Sequence, residues 1–119
     1  MSDPTCIFCK IVGGEIPAKK VYEDDEVIAF NDIRPQAPVH ILLVPKAHIA
    51  TLYDAQLGHQ SALGKMLAVA GRLAREAGAA DGFRTIINNG RVGHQEVYHV
   101  HMHVLGGPEP LGPMLARRK

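Results

Sequence analysis

Residues 98–105, YHVHMHVL, set His99, His101 and His103 in strict alternation with Val100, Met102 and Val104. Period-two alternation is the mark of a β-strand whose two faces differ. A strand over 97–105 would carry three imidazoles on one face and three apolar side chains on the other. The apolar face must be buried against something, and the histidine face would look toward solvent or a shallow pocket. Any fold for this chain has to supply a cover for one side and a use for the other.

The cover lies in the middle of the sequence. From Asp54 to about Gly78, Leu63, Met66, Leu67, Ala70, Leu73, Ala74 and Ala77 recur at three- and four-residue steps, the stripe of an amphipathic helix. Asp54 is the expected N-cap and Gly78 the expected stop. Residues 5–12 predict a short helix ended by Gly13 and Gly14. Residues 19–23 and 26–31 predict two strands joined by a tight hairpin at Asp24 and Asp25. DIRPQAP (32–38) reads as a loop, VHILLV (39–44) as a strand buried on both faces, and FRTIIN (83–88) as a fourth strand. NGRVGHQ (89–95) is a glycine-containing loop, and residues 105–119 form a Gly/Pro-rich tail. The expected class is α+β: a five-stranded, mostly antiparallel sheet with one long and one short helix, in a single domain over 1–119.

Charge and hydropathy exclude several functions. Thirteen basic against twelve acidic residues leave a net charge of +1, which offers nothing to nucleic acid or to a membrane surface. The terminal Ala-Arg-Arg-Lys reads as a solvated tail. No stretch approaches the roughly 18 apolar residues that span a bilayer, and MSDPTCIFCK does not read as a signal peptide. A cytoplasmic protein is expected, in which Cys6 and Cys9 are reduced thiols or metal ligands rather than a disulfide.

Three readings compete for the histidines. A polar strand face that happens to use histidine is the plain one. A metal site is the second: same-face neighbours lie about 6.5–7 Å apart, so two imidazoles could converge on an ion, but a straight strand would hardly bring three. Nucleophilic catalysis is the third. Neutral imidazole attacks phosphorus near pH 7 without a strong base, and the N–P bond it forms is labile to water. The C-x-x-C of Cys6 and Cys9 is weaker by itself, since such a pair serves redox chemistry, binds metal or merely fills space.

HVHMHVL resembles the His-φ-His-φ-His-φ-φ signature of the histidine triad (HIT) superfamily. The resemblance extends over almost the whole chain through IPA (16–18), DIRPQAPVHILLVPKAHI (32–49) and LGGPEPLGPML (105–115), and is similar to the bacterial Hint branch. It implies a nucleotide-binding hydrolase that cleaves purine nucleoside phosphoramidates, such as adenosine 5′-phosphoramidate or AMP-lysine, without a catalytic cofactor. His101 would be the nucleophile and carry a nucleotidyl group. His103 would bind phosphate or assist the leaving group, and His99 would orient the site with His40 behind it in a relay. Ile7, Phe8, Ile11, Phe30 and Ile33 would sandwich the base, although by residue type they read as core. Asp32 would bind the ribose hydroxyls or simply cap a turn. Asn88, Gln95 and the backbone around Val97 would reach the phosphate or leaving group. Glu96 matches the bacterial branch, and on charge grounds an acid there, which would repel phosphate, is expected to favour cationic leaving groups such as lysine.

The resemblance also implies a structural zinc held by Cys6, Cys9, His48 and His99, and a homodimer joined into a continuous two-chain sheet. The tail argues against the Fhit-type dinucleoside polyphosphate hydrolases, the alternative within the enzyme class. A nucleotide-binding interaction module with incidental activity is the alternative outside it. One position departs from the family pattern: His94 stands where Gly-Gly-Gln is usual, and a residue with a Cβ loses easy access to positive φ. His59 receives no role.

Overall fold

A computed structural model describes residues 3–114; the basic tail at 116–119 lies outside the described residues. The elements are helix α1 (Ile7–Val12), strands β1 (Lys20–Glu23), β2 (Val27–Asn31) and β3 (Val39–Pro45), helix α2 (Gln60–Glu76), and strands β4 (Phe83–Ile86) and β5 (Met102–Gly106). The strands form one antiparallel sheet in the order β1-β2-β3-β5-β4. The hairpin is closed by Asp24, whose carboxylate accepts from the N–H groups of Glu26 and Val27 at 2.7 and 2.8 Å.

The pleat sorts the sheet into two unlike faces. Val27, Ala29, Ile41, Leu43, Met102 and Val104 point to one side and bury the Ala62, Met66, Ala70, Leu73 stripe of α2. Each fully buried Val, Ile, Leu or Met among them contributes about 1.5–3 kcal/mol. Ile28, Phe30, Leu42 and Val44 point to the other side and pack on Phe8, Cys9 and Ile11 of α1. β3 is buried along its whole length, His40 included, as its nearly continuous apolar run predicts, because it has a helix on each face.

Three expected boundaries move. The long helix begins at Gln60, not Asp54. Asp54 instead completes a capping box with Thr51 in a single 3₁₀ turn, and a second such turn at Leu57–His59 precedes the helix. β4 ends at Ile86, two residues early. The last strand begins at Met102, not residue 97. The segment before it leaves the ladder because its backbone bonds elsewhere: His99 N–H donates to Val97 O at 2.9 Å, and Val100 N–H to Ile49 O at 2.7 Å. Only His103 of the three histidines therefore sits in regular strand.

Candidate active site

The histidine face is not open to solvent. α1 lies over it, with the Phe8 ring edge-on to His101 at 5.0 Å and to His99 at 5.9 Å between centroids. His99 is 0% exposed and His101 6%. The alternating pattern is real, but α1 turns the exposed face expected from it into a second core with a cleft at its edge.

Hydrogen bonds assign each ring a tautomer. His101 Nδ1 donates to the carbonyl of His99 at 2.7 Å, which leaves the lone pair on Nε2. Gln36 N–H donates to His40 Nδ1 at 3.0 Å, so the neutral His40 ring carries its proton on Nε2. That proton is directed at His103 Nδ1, 2.8 Å away, and His103 is left with an N–H on Nε2. The relay thus differs from expectation: His40 stands behind His103, not His99. Residues 40 and 42 share a β3 face, and Leu42 pairs with His103 in the ladder, which puts the two rings side by side.

Burial keeps the rings neutral. It pushes His103 down to about 4, helped by the neighbouring His101 and His40 and opposed by the charges of Asp32 and Glu96. It lowers His101 too, against the same two carboxylates. His40 is lowered by burial and partly restored by Asp32, whose Oδ2 lies 3.5 Å from its Nε2. The other Asp32 oxygen accepts from Arg34 N–H at 2.8 Å, so this residue both shapes its turn and faces the histidines.

A cleft of about 710 Å³ opens beside these groups, a volume suited to a nucleotide-sized ligand. Ile7, Phe8, Ile11, Phe30, Asp32, Ile33, Asn88, Glu96, Val97, His40, His101 and His103 all line it. Ile33 stands 93% exposed, so it is a rim residue and not core. Gln95 does not line the cleft. Its amide is consumed in holding the 90–97 loop, accepting from Gly90 N–H and donating to the carbonyls of Val97 within the loop and of Ala50 outside it. Sequence reasoning missed Ile16, Ala18, Arg34 and Gln36, which join the lining. The proline-rich loop around Gln36 was the available signal.

Behind His101 lies a second cluster. One atom from each of Cys6, Cys9, His48 and His99 falls within 4.8 Å of all the others. His99 Nε2 donates to Pro45 O at 2.8 Å, so its Nδ1 faces the cluster as a lone pair. It stands 3.3 Å from Cys6 Sγ, 3.6 Å from Cys9 Sγ and 3.2 Å from His48 Nδ1, while His48 Nδ1 is 3.3 Å from Cys9 Sγ. The edges of a tetrahedron with bonds of about 2.3 Å to sulfur and 2.0 Å to nitrogen run about 3.3–3.8 Å, so this donor set fits a closed four-ligand metal site. Asp3 and Cys9 N–H groups donate to the two sulfurs at 3.3 and 3.4 Å, and Asp3 Oδ2 is 3.8 Å from His48 Nε2, the outer partners such a site uses. Burial raises the Cys9 thiol and holds His99 to about 4, so the imidazole is ready to bind and the thiol needs a cation to lose its proton.

A family model described as the HIT domain matches residues 13–109. The chain belongs to the HIT domain family. A relative from Escherichia coli K12, named purine nucleoside phosphoramidase, is 55% identical over 113 residues, 94% of each chain. A Brassica juncea relative named 14 kDa zinc-binding protein is 50% identical over 103 residues, 85% of this chain and 91% of that one. The solved HIT family hydrolase of Clostridium thermocellum superposes with a TM-score of 0.90 at 40% identity, covering 97% of this chain and 100% of the other. No described helix is long and apolar enough to cross a membrane.

Proposed function

We propose that this HIT-domain chain, acting as one domain over 1–119, is a cytoplasmic hydrolase of purine nucleoside phosphoramidates and works through a nucleotidyl group carried on His101. The observation that carries the reading is the fixed tautomer pair: an unprotonated His101 Nε2 in the cleft beside a His103 whose N–H is set by His40 and Gln36. The name of the Escherichia coli relative supports the substrate class.

The base lies against Ile7, Phe8, Ile11, Phe30 and Ile33, and Asp32 takes the ribose hydroxyls. The His101 Nε2 lone pair attacks phosphorus as the phosphorus–amine bond breaks, and the departing amine takes a proton from solvent. His103 Nε2–H donates to a phosphate oxygen where charge gathers, a preorganised donor in a water-poor site. Water then attacks phosphorus, the bond to His101 breaks, the nucleoside monophosphate leaves and a proton returns to solvent. The imidazolium form of the phosphorylated ring is stabilised by its Nδ1–H bond to the His99 carbonyl. Glu96 and Asn88 meet the leaving group.

Zinc fits Cys6, Cys9, His48 and His99, and with all four positions filled by protein it would clamp α1 to the strands and hold the His99 carbonyl against His101. The working form is a homodimer. Purified protein should release AMP from adenosine 5′-phosphoramidate in metal-free buffer, and folded His101→Ala should lose roughly a thousandfold or more in kcat/KM. Equal rates for the two would refute the reading.

A further inference from the structure

The 90–97 loop is tied down by hydrogen bonds, and it holds one residue in a costly conformation. Gln95 bonds to Gly90, Ala50 and Val97 at 2.7–2.9 Å. Gly93 lies so close to Asn89 that a Cβ there would meet its carbonyl oxygen at 2.5 Å. In this frame His94 has φ +60°, and among the described residues no other non-glycine has positive φ. The left-handed region strains any residue with a Cβ, and glycine would occupy it freely. Packing does not repay the strain, because the His94 side chain is 87% exposed. An unpaid outlier beside a catalytic cleft points to function.

His94 and Glu96 flank the buried Gln95 and both line the cleft next to Asn88 and Val97. His94 Nε2 is 3.6 Å from Glu96 Oε2. Glu96 is near enough for its charge to act on both His101 and His103. The lining toward α1 is apolar, and the other polar stretch, Asp32, Arg34 and Gln36, lies where the ribose is placed, so the rim at 94–96 is where a leaving amine would emerge.

We propose that His94 and Glu96 are a specificity-determining pair for leaving groups that carry a carboxylate beside an ammonium. The class is an amino acid joined to the nucleotide through its side-chain amine. The His94 ring N–H donates to the carboxylate, and Glu96 accepts from the ammonium. A free amino acid end bears these two charges on one carbon, and a donor next to an acceptor presents the reverse pattern. A neutral amine would use neither group, and a simple cation would use Glu96 alone. The inference rests on the proposed attack by His101, which makes this rim the leaving-group side.

The test compares adenosine 5′-phosphoramidates made through the side-chain nitrogen of lysine and of lysinamide, which differ by carboxylate against carboxamide. In the wild type kcat/KM favours the carboxylate by about threefold to tenfold, the worth of one charge-assisted hydrogen bond at a solvated rim. The factor vanishes in His94→Gly and returns in part in His94→Asn, whose amide donates and which tolerates left-handed φ. An unchanged factor in His94→Gly, or none in the wild type, overturns the pair while leaving the hydrolase intact. Wild-type inactivity on both substrates overturns the hydrolase reading and this inference with it.

Discussion

His101 attacks only as the neutral ring, so its protonation sets the acid limit of the reaction. Burial lowers its pKa below the ordinary 6.5, and the neutral fraction therefore persists below that pH. The midpoint of the acid limb of kcat/KM against pH should lie below 6.5. A limb centred at 6.5 or above would mean that the ring is more solvated than its place under Phe8 allows. The side chains that matter at this scale were visible in the sequence: alternation and residue type single out the three histidines and the Cys6–Cys9 pair as candidates, and the resemblance to the HIT superfamily implies their separate roles. The groups that fix their protons were not. Pro45 O, His99 O and Gln36 N–H are backbone atoms, which no residue type reports: the first sets the proton of His99, the second that of His101, and the third turns the His40 N–H toward His103.

At the scale of elements, α1 has only six residues and no acidic residue in its first turn. An isolated helix of that length is unstable in water, so its place depends on what it packs against. Cys6 and Cys9 bracket its first turn and meet His48 and His99 from elsewhere in the chain. The protein as purified should hold about one zinc per chain by elemental analysis, and Cys9→Ser should lose it. Stripping the metal should cost about 3 kcal/mol or more, a fall of roughly 10 °C in Tm. Full thermal stability with no bound metal would show that packing alone holds the helix. Periodicity located α2 but misread its start, because Thr51 competes for Asp54 and closes a separate turn. It also overextended the last strand, because alternation continues through 99–101 while the backbone hydrogen bonds do not.

Taken whole, the molecule is a sheet with a long helix on one face and a short one, with the histidines, on the other. The apolar stripe along α2 proves wider than its own core needs: Met66, Ala70 and Leu73 are buried, yet Leu67 stays 65% exposed. β4 lies at the sheet edge, and among the described residues its outer side has no partner strand. An open edge beside an apolar helix face is what a second copy would cover. Light scattering on a size-exclusion column should give a dimer, with Leu67→Glu shifting it to monomer; a monomeric wild type would remove the continuous two-chain sheet. Periodicity could not divide the helix stripe between core and partner, because both uses need the same residues at the same steps.

The nucleotidyl group on His101 is most directly tested by rapid quench of the wild type with adenosine 5′-phosphoramidate, followed by peptide mapping. Release of the amine in a burst of about one per site, ahead of AMP, with an adenylyl group on the peptide that holds His101 and none in His101→Ala, is the expected result. Amine and AMP appearing together with no adduct on any peptide would contradict it.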